Sequence, residues 1–563
     1  MKFNEYQYEH LDVNVEKKKI IEVDTKLKNA KTYEEFYSAF KELDRIVCYE
    51  MTQQTLVDIR HTIDTRDDFY TKENDHLNEI MPIIQEYTVH ANDTILESPF
   101  CNRLRKDVPE TYFLSKELER KSFSPIIIED LQKENKLTSE YQALIASAQI
   151  EFDGQMYTLA SLEVKTNDKD RTVRKRAMKA YWRWYEEHCD KIGSIYDELV
   201  QVRTTIAKKL GFENYIQLGY IRMKRYDYNQ KDVENYRKQI LDDVVPLNTE
   251  LYERQRKRLG YERLQAWDEK IEFETGNPKP HHSEKEMVQK ALKMYEELSD
   301  ETGEFFKFMV EHELLDLDSK PGKAAGGYCT FIPDYKSPFI FANFNQTQDD
   351  AEVLTHEAGH AFQVYSSQKI FPSDCLWPTY ETCEIHSMSM EFFTYPWMKS
   401  FFEEDVDKYY FSHLSGAVKF LPYGICVDHF QHEVYAHPDM SHQERMQIWR
   451  KLEKMYLPHK NYDEIEILEN GGWWMKQLHI FMDPFYYIDY TLAQVCALQF
   501  WARIQKKDEQ AFENYKHICK IGGMYTFRRI VKEANLKCPF DKGCLTDTMN
   551  EVRKWFKNTK DPR

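Results

Sequence analysis

The first glycine of this chain stands at position 154. Glycine is the residue that tight turns demand, so a long glycine-free stretch rich in Glu and Lys favours helices joined by few turns. Apolar residues recur there at spacings of three and four, as in Tyr33 to Met51 and Thr71 to His90, which is the period of an amphipathic helix. The pattern resumes from Val173 to Tyr185 and from Val233 to Leu259. The expected fold is therefore mainly α. Between Phe152 and Arg171, Asp153-Gly154 makes a turn and Lys165-Thr166-Asn167-Asp168 a polar break. A boundary there divides the chain into an N-terminal helical domain, residues 1–160, and a second region, 161–563. The run Gly276 to His282 is a surface loop, and no fixed-period repeat or low-complexity tract is visible.

One region breaks the helical pattern. Gly326 to Ile332 and Ser337 to Phe344 are aromatic and β-branched runs separated by Pro333-Asp334-Tyr335-Lys336, the signature of a hairpin. This small β element, at about 325–345, directly precedes a helix for which Thr347 is the expected N-cap, with Asp350 three residues on. A strand in that place offers backbone donors and acceptors to an extended peptide. Gly327, Tyr328, Phe341, Ala342 and Asn343 are the candidate contacts, and a hairpin that simply closes a core is the alternative.

The helix that follows carries His356-Glu357-Ala358-Gly359-His360. Two histidines four apart lie one above the other on a helix face and can share one divalent metal. A second segment, Glu381 to Glu391, supplies Glu384, which completes the His₂Glu set of an open zinc site with Glu357 as general base. Val353, Leu354, Ala361 and Val364 give the helix an apolar face, and Ala358 and Gly359 permit close packing. The expected cofactor is one zinc ion per chain, on helices spanning about 347–400. Glu352, four residues before His356, is a candidate to orient that imidazole. His386 is either a packed histidine or a hydrogen-bonding neighbour of the site. His432 and His437 are five apart, which no single helix face accommodates. His429 and His432 have no evident acid partner, so a surface or supporting role is expected.

Composition narrows the partners. The net charge of −18 argues against nucleic acid or an anionic membrane, and no apolar run is long enough to span a bilayer. The opening MKFNEYQYEHLD has no apolar stretch of a secretory leader, and the eleven cysteines form no CxxC pair. A cytoplasmic chain with free thiols is the expectation. Cys375 and Cys383, which flank the Glu384 segment, are expected to be small core residues. No GxGxxG, P-loop or Gly-x-Ser-x-Gly is present.

HEAGHAFQ followed by E-I-H-S-M-S-M-E resembles the oligoendopeptidase F branch of the M3 (thimet-type) zinc oligopeptidases. So do His61 to Thr65, Asp170 to Arg174, the hairpin and His479 to Tyr490. The resemblance implies a large helical, prolate body with a deep channel and zinc at its floor. It also implies endopeptidase action on short peptides, with folded proteins excluded and no obligate protein partner. His356, His360 and Glu384 would hold the metal and Glu357 would be the base. His479, Tyr486 and Tyr490 would donate hydrogen bonds to the oxyanion, with Tyr487 among the substrate contacts. The spacing of the tyrosines departs from the thimet-type pattern, which leaves the choice among Tyr486, Tyr487 and Tyr490 open. Two rivals stand beside this reading. A carboxypeptidase would need a cationic clamp for the terminal carboxylate, and a peptide- or metal-binding protein would have no need of Glu357. A protease of intact proteins is disfavoured by the narrow channel the family implies.

Overall fold

The periodic N-terminal segments become long helices in the computed structural model, which describes residues 1–562. They run Val13–Asn29, Tyr33–Ile63 and Asp68–Glu97. Each begins on a side-chain cap: Asp12 accepts from the amides of Asn14 and Val15, Thr32 and Glu35 form a reciprocal box, and Asp67 accepts from Phe69 and Tyr70. Such caps satisfy amides that the first helical turn leaves without partners. Ile20, Val23, Phe36, Phe40, Leu77, Ile84 and Ile95 fill the core between them. No described helix is long and apolar enough to cross a membrane.

The chain folds as two compact units, each assembled from separated segments. The first comprises Met1–Arg120, Lys279–Val406 and Arg503–Leu536, and the second Lys121–Pro278, Asp407–Ala502 and Lys537–Arg563. The sequence reading divides the chain once, near residue 160; the contacts divide it by interleaved segments instead. The reason is hydrogen bonding across long sequence separations. Within the first unit the amide of Ala324 donates to the Thr62 carbonyl at 2.8 Å, that of Asp334 to Thr52 Oγ1 at 3.0 Å, and Tyr6 and Ser337 share a hydroxyl bond of 2.7 Å.

Five strands are described. β1 (Ile150–Phe152) and β2 (Gln155–Tyr157) form a hairpin in the second unit, turned by Asp153 and Gly154 at φ +50° and +77°. This is the turn expected at that dipeptide. The first unit holds β3 (Leu315–Asp318), β4 (Tyr328–Ile332) and β5 (Ser337–Phe344) in the order β3-β5-β4. β4 and β5 are the expected hairpin, antiparallel with Tyr328 opposite Phe341 and Ile332 opposite Ser337. β3 joins the other edge of β5 in parallel, Leu315 opposite Ile340. That third strand was not expected: Leu-Asp-Leu-Asp is short and half polar, and only its parallel partner makes it a strand. The Val233–Leu259 pattern is also interrupted, by a π-turn over Ile240–Val244. Pro246, two residues on, has no amide to continue α-type bonding. The run 276–282 is a loop, as expected. All eleven cysteines are free, and Cys375 lies in the N-terminal core beside Thr111.

One buried carboxyl has a measurable consequence. Glu50, in the Tyr33–Ile63 helix, is 3% exposed. Burial pushes its pKa up to about 8, helped by Glu16 and opposed by Lys19. The folded state therefore holds this proton where the unfolded chain releases it. The associated stability is complete below the unfolded pKa of about 4.3 and is lost as pH rises through about 8. Glu50→Gln is expected to flatten this dependence and to exceed the parent in stability by on the order of 2 kcal/mol in mild alkali. Parallel thermal melts from acid to alkaline pH check this; parallel curves for the two proteins would refute it.

Candidate metal centre

The helix Gln348–Ser367 starts at Thr347, where it was expected to start, but the cap differs. Thr347 makes no capping bond with its side chain. Asp350 reaches back instead, its carboxylate accepting from the amides of Asn345 and Gln346 at 2.9 and 2.8 Å. This fixes the strand-to-helix joint from inside the first turn. His356 and His360 then project from one face, with ring centroids 5.1 Å apart.

The helix Tyr380–Phe393 crosses that helix at Gly359. A methyl group at 359 would sit 2.6 Å from the His386 carbonyl oxygen and 2.6 Å from Ser387 Cα, so a residue with a Cβ there would push the two helices apart. The same carbonyl accepts from Tyr515 Oη at 2.9 Å, which ties the crossing to the helix Gln510–Ile521. Glu384 consequently reaches both histidines: its Oε2 lies 3.3 Å from His356 Nε2 and 3.6 Å from His360 Nε2. The three side chains offer ligand atoms within 4.8 Å of one another. Ser387 Oγ donates to Glu384 Oε2 at 3.0 Å and helps hold its orientation.

The partner of His356 is not Glu352. That carboxylate accepts from Gln348 on its own helix. Glu391 takes the role, its Oε1 2.7 Å from His356 Nδ1. An imidazole that donates Nδ1–H to a carboxylate presents a more basic Nε2 to a metal. Glu391 is two turns beyond Glu384 on the same helix face, a spacing from which the pairing could have been inferred. The donor set fits a divalent metal of borderline softness: two imidazole nitrogens, one carboxylate and a supporting carboxylate behind the first histidine.

The electrostatics agree with this geometry. Burial alone would raise the Glu384 carboxyl, yet His360 and His356 hold it well below the usual carboxylate range. Glu357 is 8% exposed, and burial raises its pKa against the opposing pull of the two histidines. His386 is fully buried and pushed down to about 3 by burial, so it is a packed neutral imidazole.

The expected peptide contacts fall on two strands. Phe341 and Ala342 are buried in β5, whose two edges are taken by β3 and β4. Lys323 Nζ donates to the Ala342 carbonyl at 2.6 Å. Asn343 Nδ2 donates to the carbonyls of Ala324 and Gly326 at 2.9 and 2.8 Å, pinning the approach to β4. Tyr328 lies on β4, the edge strand, with its ring stacked on Phe341 and its hydroxyl bonded to Thr62; Gly327 precedes it.

In the second unit, His479 and its tyrosines form one cluster. Its ring centroid is 5.8 Å from that of Tyr486, 5.0 Å from Tyr487 and 6.1 Å from Tyr490. Gln477 went unnoticed in the sequence. It accepts from Tyr423 Oη at 2.5 Å through Oε1, and its Nε2 lies 2.9 Å from His479 Nδ1. An amide that donates to Nδ1 leaves the ring proton on Nε2, and burial lowers the His479 pKa against the upward pull of Asp483, which favours the neutral ring. Arg225 holds the turn before the tyrosines: it donates to the Phe485 carbonyl and lies 3.2 Å from Asp489 Oδ1. His432 does have an acid partner, Asp428 at 3.2 Å one helical turn away. It is buried against Tyr220 Oη at 2.9 Å, which makes it part of a structural network.

The profile of peptidase family M3 matches residues 164–549, and that of the peptidase M3 N-terminal domain matches 3–123. PZ peptidase A, solved with an inhibitor, is 48% identical with a TM-score of 0.94, and the alignment covers 100% of each chain. An oligoendopeptidase F homolog of Borreliella burgdorferi is 22% identical over 408 residues, which are 69% of this chain and 66% of that protein. Oligoendopeptidase-F from Enterococcus faecium, 14% identical with a TM-score of 0.66 over 98% of each chain, shares the fold.

Gly359→Ala is expected to cost about 1–3 kcal/mol of stability through overpacking and to weaken divalent-metal uptake by moving Glu384 away from the histidines. Thermal melts and competition with a chromophoric chelator measure the two effects. Unchanged metal affinity would show that the helix crossing does not set the ligand geometry.

Proposed function

The chain belongs to peptidase family M3 and is a metallo-oligoendopeptidase, and from that premise we propose that it is zinc-dependent and cleaves internal bonds of short peptides. The observation that carries this reading is the convergence of His356, His360 and Glu384 on one point, with Glu357 buried beside them. Those three side chains would hold one zinc ion, which when bound supplies Lewis-acid polarisation of a carbonyl and a lowered water pKa. Glu357 accepts a proton as the water oxygen bonds to the carbonyl carbon. It then delivers that proton to the amine nitrogen as the C–N bond breaks. A carboxyl whose pKa is raised by burial is suited to both halves of this transfer. Glu391 holds His356 through Nδ1 and so turns its Nε2 toward Glu384.

His479 is the proposed oxyanion donor through its Nε2 proton, assisted by a phenol from Tyr486 or Tyr490. Its tautomer is supported by the Tyr423–Gln477 relay. Tyr487, and the edge strand at Gly327 and Tyr328, are the proposed peptide contacts. An extended substrate would add to β4, whose far edge pairs with no described strand.

Glu357→Gln is expected to retain stoichiometric zinc while turnover falls by about 10³-fold or more. Metal analysis beside single-turnover kinetics decides it, and substantial residual turnover would remove Glu357 from the role of base. Digestion of a length-graded series of doubly blocked peptides tests the substrate class. Internal cleavage that fades with increasing length is the expected result. Release of single C-terminal residues from unblocked peptides only would identify a carboxypeptidase, and cleavage of denatured casein but not of short peptides would overturn the size restriction.

A further inference from the structure

The second unit contains a cavity of about 110 Å³ that the proposed peptidase reaction does not use. Trp182, Trp267, Trp473 and Tyr181 supply its aromatic walls. Trp182 and Trp473 lie with ring centroids 5.3 Å apart. The space is smaller than the apolar cavity of about 150 Å³ that holds benzene, so its occupant is at most one ring or a short branched aliphatic group in size.

The charges around it do not balance. Glu163 is paired with Lys270 at 2.7 Å, and Glu269 with Lys460 at 2.7 Å. Lys476 is the third lysine of the lining. Among the described residues no carboxylate lies within 4.0 Å of its ammonium. Its nitrogen stands instead 4.6 Å from the Trp473 ring centroid and 6.0 Å from that of Tyr181. Cation–π attraction offsets part of the cost of this position but leaves one net positive charge in an aromatic enclosure. Burial lowers the Lys476 pKa to about 8, with Glu163 pulling upward against Lys270 and Lys460. The amine is therefore still mostly protonated at neutral pH.

We propose that this cavity is a binding site for a small monocarboxylate with an apolar, ring-sized body. The carboxylate pairs with Lys476 Nζ and the body lies against Trp182, Trp267 and Trp473. A single negative charge neutralises the excess, whereas a dianion would leave a buried charge without a partner. A neutral ligand of the same shape would gain the aromatic contacts but not the ion pair.

The test uses the full chain and two probes, benzoate and the neutral benzyl alcohol, titrated in the millimolar range by calorimetry and tryptophan fluorescence. Saturable binding of benzoate, about tenfold or more tighter than benzyl alcohol, is expected from one charge-assisted contact. Lys476→Met should remove that advantage while leaving benzyl alcohol binding as it was. A second measurement does not depend on the variant folding. Benzoate, and not benzyl alcohol, should protect Lys476 of the unmodified protein from an amine-reactive label, read by peptide mass mapping. Absence of saturable benzoate binding, equal affinity for the two probes, undiminished benzoate affinity in a folded Lys476→Met protein, or no protection of Lys476 would each overturn the proposal.

Discussion

Two helices touch backbone to backbone at Gly359, and the candidate metal site depends on that contact. Side chains normally hold helix axes 8–10 Å apart. Removing one Cβ at the crossing lets the His386 carbonyl and Ser387 Cα come in where a methyl group would otherwise stand. The carboxylate of Glu384, one turn from the crossing, then lies 3.3 and 3.6 Å from the two imidazoles carried by the other helix. Tyr515 holds the same carbonyl from a third helix. The position of Glu384 is therefore fixed by packing within the first unit. Glu391, on the same helix, orients His356 as a consequence of the same contact.

The second unit fixes its His/Tyr cluster by a different means. Arg203, fully buried, donates to Glu134 at 2.6 Å and to the Phe481 carbonyl at 2.5 Å, anchoring the short helix Leu478–Met482. Arg225 does the same for the turn at Phe485, whose amide is held by Gln431 at 2.9 Å. Phe485 sits at φ +70°, a conformation costly for a bulky side chain. Buried ion pairs of this kind add little net stability, but breaking one leaves an uncompensated charge. Their value here is positional: they hold an irregular stretch of backbone that helical hydrogen bonding cannot hold by itself.

Much of this was legible in the sequence because it is local. The long helices follow from apolar spacing and caps. The β4–β5 hairpin follows from two β-prone runs flanking Pro333-Asp334-Tyr335-Lys336. The adjacency of His356 and His360 follows from helix geometry. What was missed involves partners far apart in the chain. β3 is a strand only because β5 lies beside it. Helical spacing points to Glu352, one turn away on the same helix, as the partner of His356, whereas Glu391 on the next helix holds it. Gln477 looks like any polar residue until Tyr423, from a distant helix, fixes its amide against His479.

The sequence by itself determined the four-residue spacing that sets two imidazoles on one face and the Glu beside them. These follow from a period of 3.6 residues per turn, which needs no tertiary contact. Only the tertiary structure decided the Gly359 crossing that brings the expected Glu384 onto those imidazoles, that Glu391 rather than Glu352 supports one of them, and that Lys476 is left with an unbalanced charge among tryptophans. Those outcomes depend on which helices pack and how closely. That is decided by side-chain volume at crossings such as Gly359, summed over a whole unit, and no local pattern encodes it.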